Sequence, residues 1–280
     1  MPDLMWNRQT WDGSYDWTQA GEEWSETWGG SDMQWFGAIL PRIHAFIPAD
    51  AILEIAPGYG RWTQYLQAHC RRLHIVDLST QCIDACKSRF GQLQHITYST
   101  TDGKSLAMVP DNSVDFCFSF DSLVHCEADV IEAYVSQLRS KLTINGVAFI
   151  HHSNFGNHLP PFRRLLSPTA HPALHRLGLL SRFKELGFVP YEHHRGRSMT
   201  AEKMRSMADA HGLRCLSQET INWGTRRPID CLSTIVRQDS AWPRHTVFRE
   251  NRQFMQEAAA LRALSDLYGY RRLLNAASRR

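Results

Sequence analysis

Ile52-Leu-Glu-Ile-Ala-Pro-Gly-Tyr-Gly-Arg-Trp-Thr63 is the stretch on which the fold turns. Residues 51–55 form an apolar run of buried-strand length, and Pro57-Gly58-Tyr59-Gly60 ends it. Residues 61–70 then place Trp62, Tyr65, Leu66 and His69 at helical spacing. Strand, glycine turn and helix in succession let a ligand approach backbone N–H groups closely. The dinucleotide-binding version of such a turn is spaced GxGxxG and faces a pyrophosphate. That spacing is absent here. Glu54 ends the strand instead, followed by Gly58 and Gly60. An acid at that point suits a cationic ligand better than a phosphate.

Outward from this stretch, strands and helices alternate for about 100 residues. Residues 73–76 read as a second buried strand stopped by Asp77, and a helix spans 79–90. Next come a strand at 95–98, a loop through Thr101-Asp102-Gly103 and a strand at 114–120. A helix at 129–142, stopped by Asn145-Gly146, leads to a strand at 147–151. Continuous apolar strands mean burial on both faces, which predicts a doubly wound, mostly parallel α/β sheet. At the end of the second strand, Asp77 is placed to accept hydrogen bonds from a ribose diol. Residues 156–198, rich in Pro, His and Arg, break the rhythm and read as an inserted cap. Pattern resumes with a helix at 200–211 and two strands, 214–220 and 231–236, joined by a turn at 224–228. A last amphipathic helix is expected over 245–268, and a helix over 33–47 should break or kink at Pro41.

The order of these elements resembles the class I S-adenosylmethionine-dependent methyltransferases. Their first motif is an acid followed by a GxGxG turn, matched by Glu54, Gly58 and Gly60, with Ala56 where the first glycine is usual. The resemblance covers roughly residues 50–155 and, more loosely, 199–237. It implies a seven-stranded Rossmann-like sheet with S-adenosyl-L-methionine as cofactor. Asp77, with Leu78 beside it, matches the acid that binds the cofactor ribose. Asp102 and Gly103 match the contact to the adenine amino group. Phe120-Asp121-Ser122 matches the loop after the fourth strand, and residues 142–147 resemble the L-x-P-G-G turn. Trp62, following the glycine turn, is placed either beside the cofactor or in the core. The expected organisation is a Trp-rich lid and helix at 1–48 and a cofactor-binding core at 49–155. The cap at 156–198, completion of the sheet at 199–240 and a C-terminal helix at 241–280 follow.

Methyl transfer needs in-line alignment and, for a hydroxyl acceptor, a base beside the methyl group. Two clusters fall at the ends of strands four and five: Asp121-Ser-Leu-Val-His125-Cys-Glu127 and His151-His152-Ser-Asn154. Imidazole titrates near neutrality, so His125 is the first candidate base and His152 the second, with Asp121 as a further catalytic candidate. Strand alternation puts His151 and His152 on opposite faces, so only one should meet the pocket. The donors His125, Glu127, His152 and Asp121 could also hold a metal. They lack a tight HxxxH or HxH pair, so no metal is expected.

Six of the nine Trp lie in the first 35 residues: Trp6, Trp11, Trp17, Trp24, Trp28 and Trp35. Two alternatives stand for this segment: packing against the sheet, or a lid. In the lid, Trp28 or Trp35 would lie nearest the cofactor and the earlier Trp would line the acceptor side. Trp28, Trp35, His125, His152 and Asn154 are the expected acceptor contacts. Hydrophobic residues at 43% and charged residues at 21% exclude a disordered or coiled-coil chain. A net charge of +3 with only five Lys, and no dense basic block, argues against a nucleic-acid partner. No apolar run is long enough to span a bilayer, so no membrane partner is expected. No secretory signal is evident in the first residues. Seven Cys without a CxxC pair suit reduced thiols in the cytoplasm. The expected activity is methylation of a small or medium polar acceptor, foremost O-methylation of a sugar or natural-product hydroxyl. Small-molecule N-methylation and non-catalytic cofactor binding are the alternatives.

Overall fold

Residues 3–159 and 194–269 are described in the computed structural model. The inserted cap expected at 156–198 therefore lies largely outside the described residues. A short helix α1 (Leu4–Gln9) opens the chain, capped by the Asp3 carboxylate, which accepts from Trp6 N–H at 2.8 Å. A second helical stretch runs through α2 (Ser31–Gln34), a π turn (Trp35–Ile39) and α3 (Leu40–Ile43). Pro41 lies at the start of α3, and the widened π turn before it absorbs the proline that would otherwise clash with the preceding turn.

From there strands and helices alternate: β1 (Ala49–Ile55), α4 (Thr63–Leu66), β2 (Cys70–Asp77), α5 (Thr80–Phe90), β3 (Ile96–Thr100) and β4 (Val114–Ser119). After them come α6 (Ala128–Lys141), β5 (Leu142–Ser153), α7 (Ala201–Ala210), β6 (Leu213–Ile221), β7 (Asp230–Arg237), β8 (Val247–Asn251) and α8 (Phe254–Tyr268). The sheet order is β3-β2-β1-β4-β5-β7-β6-β8. β1 to β5 are parallel, β7 is antiparallel to both its neighbours, and β8 runs parallel to β6.

The sheet has eight strands among the described residues, not seven. The extra one is β8, taken from the start of the helix expected at 245–268. Val247 and Phe248 favour extended backbone, and the Asn251 side chain then accepts from Gln253 N–H at 3.0 Å, turning the chain into α8. The helix expected at 61–70 also shortens, to α4 plus one 3-10 turn at Gln67–His69.

Side-chain alternation splits the core into two layers. Ile52, Leu73, Ile75, Phe116 and Phe118 face Trp28, Trp35, Ile39, Trp62, Ile83 and Phe254. Leu53, Ile55, Val76 and Cys117 face α6 and α7 through Val130, Ile131, Leu138, Met204 and Met207. The chain leaves β1 for β2 and β3 on one side and returns to β4 on the other. The carboxyl ends of β1 and β4 therefore flank a crevice, the place where open α/β sheets bind ligands.

Candidate active site

At that crevice the β1 strand breaks into a tight turn. Ala56, Gly58 and Gly60 all have positive φ, at 59°, 57° and 83°. A side chain on Gly60 would sit 2.5 Å from the Phe90 ring, so only glycine lets the turn lie this close to α5. A cleft of about 810 Å³ opens above it. Its floor is Ala56–Tyr59, Arg61, Trp62, Asp77, Leu78, Gly103 and the loop Phe120–His125. The N-terminal segment forms its roof through Leu4, Asn7, Trp11, Trp17 and Trp24.

Asp77 sits at the end of β2 with its carboxylate toward the turn. Oδ1 accepts from Ser79 N–H at 2.8 Å and Oδ2 from Gly58 N–H at 3.2 Å. Burial pushes its pKa up to about 6 against the opposing pull of these N–H groups. Lone pairs remain on both oxygens for a diol. Leu78, Gly103 and the π face of Phe120 supply apolar walls beside it. Trp62 and Trp24 pack on the Arg61 guanidinium at 4.5 and 5.1 Å beside the turn. A diol acceptor and apolar walls for a planar base together fit S-adenosylmethionine.

Two expected cofactor contacts lie elsewhere. Glu54 is buried beneath the turn, outside the cleft lining, where Thr63 Oγ1 donates to its Oε2 at 2.6 Å. β1 alternation points it at α4, and burial pushes its pKa up to about 8. Burial thus favours its neutral form over the anion expected from the motif. Asp102 is exposed, and its Oδ1 accepts from Lys104 and Ser105 N–H at 2.9 and 2.8 Å. It closes an Asx turn, while Gly103 reaches the cleft.

The loop after β4 carries a strained residue. Asp121 has φ +64°, and its Oδ2 lies 2.8 Å from Arg61 in a buried ion pair. Arg61 in turn donates to Ser25 Oγ at 3.1 Å. Ser122 Oγ donates to Ala56 O at 2.8 Å, tying the two loops together. With Oδ2 engaged by a guanidinium, Asp121 is placed to organise the floor. Arg61 stood inside the quoted motif, but nothing in the sequence paired it with Asp121 or Ser25.

His125 lines the cleft, its ring 5.3 Å from Trp11. Its Nδ1 lies 3.0 Å from the His194 carbonyl, so Nδ1 carries the proton and Nε2 keeps its lone pair. Burial, with Arg195 as the next cause, holds its pKa down to about 4. The second base candidate is misplaced. His152 is fully buried on the opposite face, bonded to Ser233 Oγ at 2.8 Å and Ser153 O at 2.9 Å. His151 takes the cleft-side face, as alternation requires. Its Nδ1 accepts from Asp121 N–H at 3.1 Å, and its ring packs between Phe120 and Trp223. Asn154 is also buried away from the cleft, where Nδ2 donates to Pro228 O and Oδ1 accepts from Ala201 N–H.

Trp28 and Trp35 are 1% and 0% exposed and belong to the core, not to the acceptor side. Trp28 packs on Trp223 and Phe254, and Trp35 stacks on Tyr65. The earlier Trp form the roof. Trp11, Tyr15, Trp17 and Trp24 lie 4.8–6.1 Å from one another, and Trp17 stacks on Tyr59 of the glycine turn at 4.5 Å. Asp12 ties this roof to α5, accepting from Ser79 Oγ at 2.6 Å, and Asn7 Nδ2 donates to the His125 carbonyl at 3.0 Å.

Comparison with known proteins assigns the class. A family model described as a methyltransferase domain matches residues 52–146, which hold β1 through the start of β5. No curated protein matches the chain significantly. Solved structures share the fold. The PH0226 protein of Pyrococcus horikoshii OT3 superposes with TM-score 0.52 at 13% identity, over 74% of this chain and 90% of that one. The complex between the Haloferax volcanii Trm112 methyltransferase activator and a methyltransferase gives 0.51 at 16% identity, over 80% and 99%. The DhpI–SAH complex gives 0.50 at 17% identity, over 84% and 95%. At these identities the likeness is one of fold. Residues 52–146 thus match a methyltransferase domain, whose methyl donor is S-adenosyl-L-methionine.

Proposed function

We propose that the chain O-methylates a small ring-bearing acceptor at an acidic hydroxyl, with His125 receiving the proton. The observation that carries this reading is the single cleft in which His125 and a Trp-walled roof face the glycine turn and Asp77. Bound S-adenosylmethionine supplies an electrophilic methyl group on a sulfonium. Asp77 and Gly58 hold the ribose end, Leu78 and Gly103 flank the base, and the Arg61–Asp121 pair braces the floor. Trp11, Trp17 and Trp24 offer flat apolar surface, which suits a planar acceptor. Their closure over the cleft keeps water from the methyl donor.

His125 stays neutral through the physiological range, because its conjugate acid loses its proton near pH 4. Such a weak base matches a phenolic or enolic hydroxyl better than a sugar alcohol, which narrows the acceptor class. The same weakness favours a second reading, N-methylation of a small amine, whose nitrogen already has a lone pair. Turnover should be followed with labelled cofactor over a panel of phenols, sugars and amines. Transfer to a phenol is expected, and His125→Gln should cut kcat by about 10²–10⁴-fold at unchanged cofactor affinity. Transfer to amines alone would favour the second reading. Tight cofactor binding with no transfer to any acceptor would mean a binding protein.

A further inference from the structure

Residues 194–198 lie along the loop that follows β4. Gly196 N–H donates to Val124 O at 2.8 Å, and Ser153 Oγ donates to Gly196 O at 2.7 Å. A side chain on Gly196 would sit 2.1 Å from Cys126 O, so the two backbones touch. Glu127 accepts from Arg197 N–H at 3.1 Å and Ser198 N–H at 2.8 Å. At the head of this segment His194 has φ +54°, and its carbonyl meets His125 Nδ1.

The next side chain, Arg195, is 4% exposed and turns inward to Asp230, the fully buried first residue of β7. The contact is forked: Nε to Oδ1 at 2.9 Å and the terminal nitrogen to Oδ2 at 2.8 Å. Such a pair has one geometry, because the planar guanidinium matches both carboxylate oxygens together. Asp230 Oδ2 also lies 3.3 Å from His151 Nε2, and His151 Nδ1 holds the Asp121 backbone. The fork thus joins the strands under the cleft to the residue before it, His194.

We infer that Arg195 and Asp230 are a positioning pair. By fixing the His194 carbonyl they hold His125 as its Nδ1–H tautomer, leaving Nε2 as the acceptor facing the cleft. Without an acceptor at Nδ1, the neutral ring would interchange its tautomers, and its Nε2–H form would present a donor to the substrate. Arg195 has an electrostatic part as well. Its charge faces His125 together with the acids Asp121 and Asp230, and it opposes protonation of the ring while the acids favour it. Burial would raise the Asp230 pKa, but Arg195 and His151 hold it down to about 2, so the pair is charged at neutral pH.

The effect on turnover rests on His125 being the base, whereas the effect on the ring does not. The test is therefore read first on the ring itself. Long-range ¹H–¹⁵N correlations of the wild-type protein should show His125 as the Nδ1–H tautomer, and the Nε2–H form would overturn the inference. In Arg195→Gln, and in the neutral pair Arg195→Gln/Asp230→Asn, the tautomers should mix and the His125 titration should shift from its wild-type position. Over the same variants kcat should fall about 100-fold, as for a misplaced group, with cofactor Kd unchanged. An unmoved tautomer and titration in a folded variant would show that the pair only stabilises the fold. If His125→Gln turns over normally, the base assignment fails, and the tautomer and titration still judge the pair. If neither variant folds, the wild-type tautomer decides.

Discussion

Asp77 meets two demands with one carboxylate. It holds the Gly58 turn and Ser79 through backbone N–H groups, and in the proposed function it accepts a ribose diol while ionised. With a pKa pushed up to about 6, it loses its charge just below neutrality. Cofactor affinity should therefore weaken as pH falls from 7.5 to 5.5, by calorimetry. Asp77→Asn should bind roughly 10–100-fold more weakly at pH 7.5, with a flatter pH profile, as expected for losing hydrogen bonds to a charged group. Glu54 makes the opposite statement about stability. Its folded pKa, about 8, lies above the ordinary value of 4.5. The favourable contribution is thus full below pH 4.5 and is lost as pH rises toward and through 8. Glu54→Gln should gain on the wild type by on the order of 2 kcal/mol between pH 6 and pH 9 in denaturant melts. An unchanged gap would mean that Glu54 is ionised in the fold.

Among elements, the N-terminal segment divides between Trp24 and Trp28. Before it, Leu4, Asn7, Trp11 and Trp17 touch the cleft and the glycine turn. After it, Trp28 and Trp35 are core residues, and Gly29 lies so close to α8 that a side chain there would meet Ser265 at 2.5 Å. Six Trp within 35 residues were legible as one feature, but not as a roof followed by a wedge. No periodicity distinguishes the two, because the roof Trp pack on one another and on loops. Removal of residues 1–20 should leave the melting temperature nearly unchanged while acceptor turnover and cofactor retention fall. Removal of residues 1–32 deletes the Trp28 side chain and should cost about 3–5 kcal/mol of stability. Full activity in the shorter truncation would show that the roof is dispensable.

Across the whole molecule, Arg42 joins three parts of the chain that are far apart in sequence. Its guanidinium, 17% exposed, bonds Glu219 of β6 at 2.7 Å and Glu257 of α8 at 3.1 Å, and it lies over the Phe254 ring at 5.2 Å. Asn251, at the end of β8, completes the cluster through the same two carboxylates. Arg42→Ala should lower stability by about 2 kcal/mol and leave the kinetics near wild type, since the cluster lies outside the cleft lining. A specific loss of turnover would tie this edge of the sheet to the site. Among the described residues no helix is long and apolar enough to cross a membrane.

The linear sequence determined the doubly wound order, the glycine turn, Asp77 at the end of the second strand and the loop that carries His125. Each rests on local spacing: apolar runs of strand length, a turn only glycine can make, and motif offsets within one βα unit. Only the tertiary structure decided which face each of these side chains meets. A one-residue choice of register sent His151 against Phe120 and Trp223 and His152 to Ser233 on the other face, and it turned Glu54 toward Thr63. It also paired Arg61 with Asp121, and Arg195 with Asp230, across separations that no sequence pattern encodes. Charges buried in a dry crevice require partners, and it is the packing of strands from both halves of the chain that supplies them.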